Sequence, residues 1–171
     1  VEELFCAVRR LWTEGFHVHL QLLGFFEEQY RQEVDRLVSG GMTEFFGFQK
    51  EPLPFYQNCD CVVLPSYHEG MSNVLLEAAA VGRPIIASDI PGCREAVEHS
   101  KTGLLCREKA TDSLYVAMSP FLALSAEQKA ALGQNGRRKM EREFDKASVV
   151  AETLRIVTAE KAAPQPRRVT A

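Results

Sequence analysis

The chain has 171 residues, of which 46% are hydrophobic and 25% charged, with a formal net charge of −3 at pH 7. That length supports one domain with a real core, and the composition is ordinary for a globular protein. No basic surface of the kind nucleic acid requires is present, nor an apolar run of membrane-spanning length or a signal-peptide layout at the start, so we expect a cytoplasmic protein with no nucleic-acid partner.

In chain order, residues 1–14 read as an amphipathic helix, with Leu4, Phe5, Val8, Leu11 and Trp12 at helical spacing and Gly15 as its stop. Residues 17–23 alternate and then turn apolar, a strand ended by Gly24. Residues 27–39 form a charged helix with Tyr30, Val34, Leu37 and Val38 on one stripe. Gly40 and Gly41 break it ahead of a strand over residues 42–48. Residues 52–58 make a short helix or turn. The apolar run over residues 61–66 reads as a buried strand. After a turn holding Glu69 and Gly70, Ser72 or Asn73 caps a helix that runs on over residues 74–81. A strand over residues 85–88, the turn Ile90-Pro91-Gly92, a short helix over residues 94–99 and a strand over residues 104–106 follow. Residues 112–124, 126–144 and 147–160 are helices. Residues 161–171, with Pro164, Pro166, Arg167 and Arg168, read as a disordered tail. Helices alternating with apolar strands predict an α/β domain with a parallel sheet over residues 1–160.

Glu77 is the only charge in the apolar helix that follows the turn. Strand, glycine turn and helix start together make a ready anion site, because the first backbone N–H groups of a helix have no partner within it. Other chemistries lack their motifs. There is no Gly-x-Gly-x-x-Gly after a strand, no P-loop and no Asp-x-Asp. His17, His19, His68 and His99 have no serine or cysteine in a recognisable nucleophile arrangement. Cys6, Cys59, Cys61, Cys93 and Cys106 contain no Cys-x-x-Cys pair and no histidine at zinc-like spacing, so they read as small buried hydrophobes in a reducing compartment.

The run Pro65-Ser66-Tyr67-His68-Glu69-Gly70-Met71-Ser72-Asn73, continued to Glu77-Ala78 and then to Gly82-Arg83-Pro84-Ile85-Ile86-Ala87-Ser88-Asp89, resembles the donor-binding signature of retaining glycosyltransferases of the GT-B fold, family 4 (group 1). Gly136-Arg137-Arg138-Lys139 through Phe144 is similar to a run near the end of such enzymes, and Gly92 and Glu95 match a Gly-x-x-Glu turn common among them. The resemblance implies a Rossmann-like, three-layer α/β/α sheet, the C-terminal half of the GT-B fold. It implies a nucleotide-sugar donor, with UDP the expected carrier, and neither cofactor nor metal. Carried over, Glu77 is the ribose ligand and Glu69 the residue at the donor sugar and the catalytic candidate. The backbone of Gly70, Met71, Ser72 and Asn73 faces sugar and phosphates, Val74 sits at the ribose, and Phe48 is a candidate at the nucleobase. Carboxylates suit diols because an ionised oxygen accepts strong hydrogen bonds from O–H.

The chain also departs from the pattern. The resemblance places an Arg and a Lys on a strand and loop just before the first helix of the domain, and no residue here matches them. Gly24-Phe25-Phe26-Glu27 replaces the more usual Gly-x-Gly. The expected strand order is 3-2-1-4-5-6 with the first strand ahead of Val1, so the sheet is expected to be split, or distorted, between residues 17–23 and residues 61–66. The acceptor, a glycan or lipid-linked sugar in surface-polysaccharide synthesis, would be held by an N-terminal domain, and the resemblance leaves room for peripheral membrane association of a whole enzyme. The chain alone is therefore expected to be inactive in transfer. The alternative is a non-catalytic sugar-nucleotide-binding or interaction domain left by truncation.

Overall fold

A computed structural model of the chain describes residues 1–25 and 27–162. Its elements run α1 (Glu2–Thr13), β1 (Leu20–Leu23), a 3-10 turn (Glu28–Tyr30) leading into α2 (Arg31–Ser39), β2 (Thr43–Gly47), α3 (Leu53–Asn58), β3 (Val62–Leu64), α4 (Asn73–Ala80), β4 (Ile85–Ser88), β5 (Gly103–Cys106), α5 (Thr111–Leu122), α6 (Ala126–Glu143) and α7 (Lys146–Ala162).

Every strand pair is parallel. β4 is paired on both sides, with Ile85 opposite Val62 of β3 and opposite Gly103 of β5. β1 pairs with β2, Leu20 opposite Thr43, with an irregularity between Leu22 and Leu23. The five strands thus fall into two sheets, β1-β2 and β3-β4-β5, and among the described residues no ladder joins β1 to β3. The opening lies where the sequence put it.

The two faces of β4 explain the layers. Alternate residues of a strand point to opposite faces. Ile85 and Ala87 join Leu75, Ala78 and Ala79 of α4 and Met140 of α6 in one cluster, while Ile86 joins Leu4, Ala7, Val8 and Leu11 of α1 and Leu114, Met118 and Phe121 of α5 in another. All four β4 residues are buried. α1 is also what spans the opening in the sheet. Leu20 and Met42 from the β1–β2 side and Cys61 and Val63 from the β3 side pack at the margin of its cluster. On the same face of β1 and β2, Phe5 of α1 joins Val34 and Leu37 of α2 against Leu20, Leu22 and Met42. α6 approaches the turn after α4 so closely that a Cβ on Gly133 would lie 1.9 Å from the Gly82 carbonyl oxygen.

Three local expectations are corrected. The helix over residues 27–39 opens with a 3-10 turn rather than an α-helical one. Residues 91–96 form consecutive turns instead of the expected helix at 94–99. Their bonds mix three- and four-residue spacings, as in Ala96 N–H and Val97 N–H both donating to the Cys93 carbonyl, a pattern that does not propagate. α7 runs to Ala162, two residues into the predicted tail, and the remainder of that tail, residues 163–171, lies outside the described residues.

Candidate functional site

The site is assembled from the C-terminal ends of β3 and β4. β3 ends at Leu64, and residues 65–72 form the loop that leads into α4. Leu75, Ala78 and Ala79 are fully buried, so the rotation of α4 is fixed and the opposite side of its first turns, with Asn73, Val74 and Glu77, faces outward. The N–H groups of Leu75 and Leu76 are taken by the Ser72 carbonyl, which leaves the earliest N–H groups of α4 among the unpaired ones of a helix start. Ser72 holds the N-cap position as expected and is buried, but its side chain accepts no capping bond.

Each carboxylate has its own partner. The Ser66 hydroxyl donates to Glu69 Oε1 at 2.6 Å, and the Tyr56 hydroxyl donates to Glu77 Oε2 at 3.1 Å. Glu69 is half-buried on the loop and Glu77 stands exposed in the second turn of α4. Gly70 and Met71 are exposed on the same loop. Tyr56 is buried in the cluster that holds α4, and burial, followed by the Glu77 carboxylate, raises its phenol above the ordinary range. A buried tyrosine hydroxyl requires a partner, and Glu77 supplies it.

The loop is braced from β4. Gly92, at φ +85°, lies against it so tightly that a Cβ there would sit 2.0 Å from the Gly70 carbonyl oxygen and 2.6 Å from that of Glu69. The Gly92 N–H donates to the Glu95 carboxylate. The neighbouring Cys93 thiol is pushed up to about 11 by burial and then by the charges of Glu69 and Glu95. The Gly-x-x-Glu turn is therefore part of the site's frame.

Phe48 lies apart from the two glutamates, just past the end of β2. It is 64% exposed, and its ring stacks on that of Phe25 with centroids 5.5 Å apart and planes 3° apart, so it is not a core residue. The Gly24 N–H donates to the Gly47 carbonyl at 2.8 Å and ties the two strand ends together, beside a cavity of about 250 Å³ lined by Gly24, Phe25, Arg31, Phe45 and Gly47.

The Gly136–Phe144 run serves packing. Arg137 donates to the Ala80 carbonyl near the end of α4, and Lys139, 8% exposed, pairs with Glu143 and with Glu98 at 3.7 Å. Tyr56, Ser66 and the bracing by Gly92 were not singled out from the sequence as parts of the site. Ser66 lies within the signature and was the most readable of them. No helix among the described residues is long and apolar enough to cross a membrane.

Comparison with known proteins points the same way. The sequence profile described as "Glycosyl transferases group 1" matches residues 1–123. The chain is 26% identical over 147 residues to the capsular polysaccharide biosynthesis glycosyltransferase CapM of Staphylococcus aureus, covering 84% of this chain and 38% of that protein. Among solved structures it is similar to HepE of Anabaena in complex with UDP, at a TM-score of 0.81 and 22% identity over 92% of this chain and 44% of that one. It is also similar to the C-terminal domain of a group 1 glycosyl transferase, LpcC of Francisella tularensis, at a TM-score of 0.71 and 19% identity over 84% and 78%. The parallel sheet flanked by helices thus matches the C-terminal domain of GT-B glycosyltransferases. The chain spans between 23% and 38% of the length of the first curated relatives it matches.

Proposed function

Because the chain belongs to the group 1 glycosyl transferases, we propose that it is the donor-binding part of a retaining, metal-independent glycosyltransferase that takes its sugar from a nucleotide sugar, UDP-linked, for a glycan or lipid-linked acceptor in surface-polysaccharide synthesis. One observation carries this reading: Glu77 stands in the second turn of α4 and Glu69 on the loop before it, on either side of a helix start with unpaired N–H groups. A nucleotide sugar presents two diols separated by a diphosphate. In this reading Glu77 accepts hydrogen bonds from the ribose hydroxyls and Glu69 from the hydroxyls of the sugar. The N–H groups at the start of α4, with the backbone of Gly70, Met71, Ser72 and Asn73, meet the diphosphate, and Val74 lies along the ribose. Phe48 lies at the nucleobase. UDP in the HepE structure and capsular polysaccharide in the name of CapM supply the donor and product classes.

Transfer requires an acceptor aligned with the sugar and cations for the departing diphosphate. The residues assigned here to the donor site are carboxylates, backbone groups and apolar side chains. The chain alone therefore binds donor without transferring it, and detection of transfer by the purified chain would overturn that part of the reading. The donor role is tested by calorimetric titration with UDP. Glu77→Ala is expected to weaken binding by about 1–3 kcal/mol, the range for hydrogen bonds to charged groups. Unchanged affinity would remove Glu77 from the site.

A further inference from the structure

We propose that Tyr56 is a positioning residue of the donor site, its hydroxyl holding the Glu77 carboxylate by one oxygen so that the other stays directed at the ribose diol. The inference rests on the donor-site reading above and adds a residue that lies outside the signature, on a different helix.

The geometry separates a fixed donor from a movable acceptor. Tyr56 is only 8% exposed and belongs to the same buried cluster as Leu75, Ala78 and Ala79, the residues that α4 turns to the core. α3 is closed on itself by two local bonds and tied to the turn after α4 by a third. The Tyr56 N–H donates to the Pro52 carbonyl at 3.2 Å, Asn58 Nδ2 donates to the Pro54 carbonyl at 2.7 Å, and Arg83 reaches the Gln57 carbonyl. The phenol oxygen therefore has one place to be. Glu77 is exposed, with a long side chain that would sample several rotamers if left to solvent. The bond from Tyr56 takes Oε2, and Oε1 takes no hydrogen bond from any described residue. A carboxylate so tethered has already lost most of the rotamer freedom that binding a diol would otherwise remove. Immobilising one such side chain corresponds to roughly 2- to 10-fold in affinity. Burial keeps the phenol protonated across the physiological range, so it donates and does not compete with the ribose as an acceptor.

A purely structural role for this bond, in which Glu77 only satisfies a buried hydroxyl, predicts a different outcome. Tyr56→Phe keeps the ring and its packing and removes only the donor. The chain and its Tyr56→Phe and Glu77→Ala variants are titrated with UDP and with 2′-deoxy- and 3′-deoxy-UDP. The expected result is that Tyr56→Phe loses roughly 2- to 10-fold in UDP affinity and binds at least one deoxy nucleotide as the parent does, so that the preference for the ribose hydroxyl narrows. Tyr56→Phe combined with Glu77→Ala should lose no more than Glu77→Ala alone. If Glu77→Ala abolishes the ribose preference while Tyr56→Phe leaves it at the parent value, the positioning role is overturned and the donor reading stands. If the parent binds none of these nucleotides, or if Glu77→Ala leaves the preference intact, the assignment of Glu77 fails and the role of Tyr56 with it.

Discussion

The two sheets share a chain and parallel pairing but not a way of being stable. β4 is buried along its whole length between two neighbours and two helical layers, as a central parallel strand should be. β1 is half-buried with Leu23 exposed, and β2 leaves Glu44 and Phe45 in solvent. A two-stranded ribbon is marginal by itself, and this one is held by α1 and α2. The glutamates and the glycine that braces their loop all sit on the three-stranded side. Phe25 and Phe48, stacked at the ends of β1 and β2, sit on the other. A carboxylate constellation thus rests on the rigid half, and an aromatic edge rests on the half that depends on its helices.

The comparison breaks most visibly at the helix that serves both sheets. Leu11 is fully buried in α1, and Leu11→Ala should cost about 2–5 kcal/mol, as for other buried leucines. Hydrogen exchange should show β1 and β2 losing protection before β3, β4 and β5 do. Equal loss in both sheets would mean that they unfold as one unit. Gly92→Ala acts on one side only. The strain of a positive φ is about 1–3 kcal/mol, and the new Cβ meets the Gly70 and Glu69 carbonyls, so the loop must move. UDP binding should weaken while exchange in β1 and β2 stays at the parent rate; unchanged UDP affinity would show that the loop tolerates displacement.

The smallest effect is a pH dependence in α6. The Glu143 carboxyl is held below its ordinary value by the hydrogen bond from Lys139 and then by that from Arg142. A depressed folded value contributes stability above the unfolded value and loses it as pH falls through the folded one. Glu143→Gln should therefore destabilise the chain at pH 7, by about 1 kcal/mol, since the carboxylate is 37% exposed and screened by solvent although Lys139 is not. Denaturant midpoints of variant and parent should converge in acid, and a gap that persists below about pH 3 would contradict the ion-pair origin.

What could be read from the sequence was what is local. A lone glutamate in an apolar helix, preceded by a glycine turn and an apolar strand, announces a strand–loop–helix site within a few residues, and residues 62–80 fold that way. The start of α6 was also placed from the sequence, and the structure adds the capping box that Ser125 and Gln128 close there. What was hidden depends on the fold. Tyr56 lies 21 residues from Glu77 in sequence, and no periodicity marks one tyrosine in a short helix as the partner of a distant carboxylate. Gly92 looked like a turn glycine; that it leaves no room for a Cβ against a loop one helix and one strand earlier in the chain follows only from the adjacency of β3 and β4. The failed helix at residues 94–99 shows the converse, a stretch of suitable residues whose entry through a left-handed glycine gives turns instead.

The packing around Cys93 has a practical side. A thiol that is fully buried and held protonated is a poor nucleophile, and Cys59, Cys61 and Cys106 are likewise raised by burial. Cys6 is only half-buried, on α1, with Arg9 at its sulfur. An alkylating fluorophore added to the native chain should therefore mark the helix that packs on both sheets before it touches the loop that carries Glu69, reporting on the junction between the halves while leaving the glutamates and their brace as they fold.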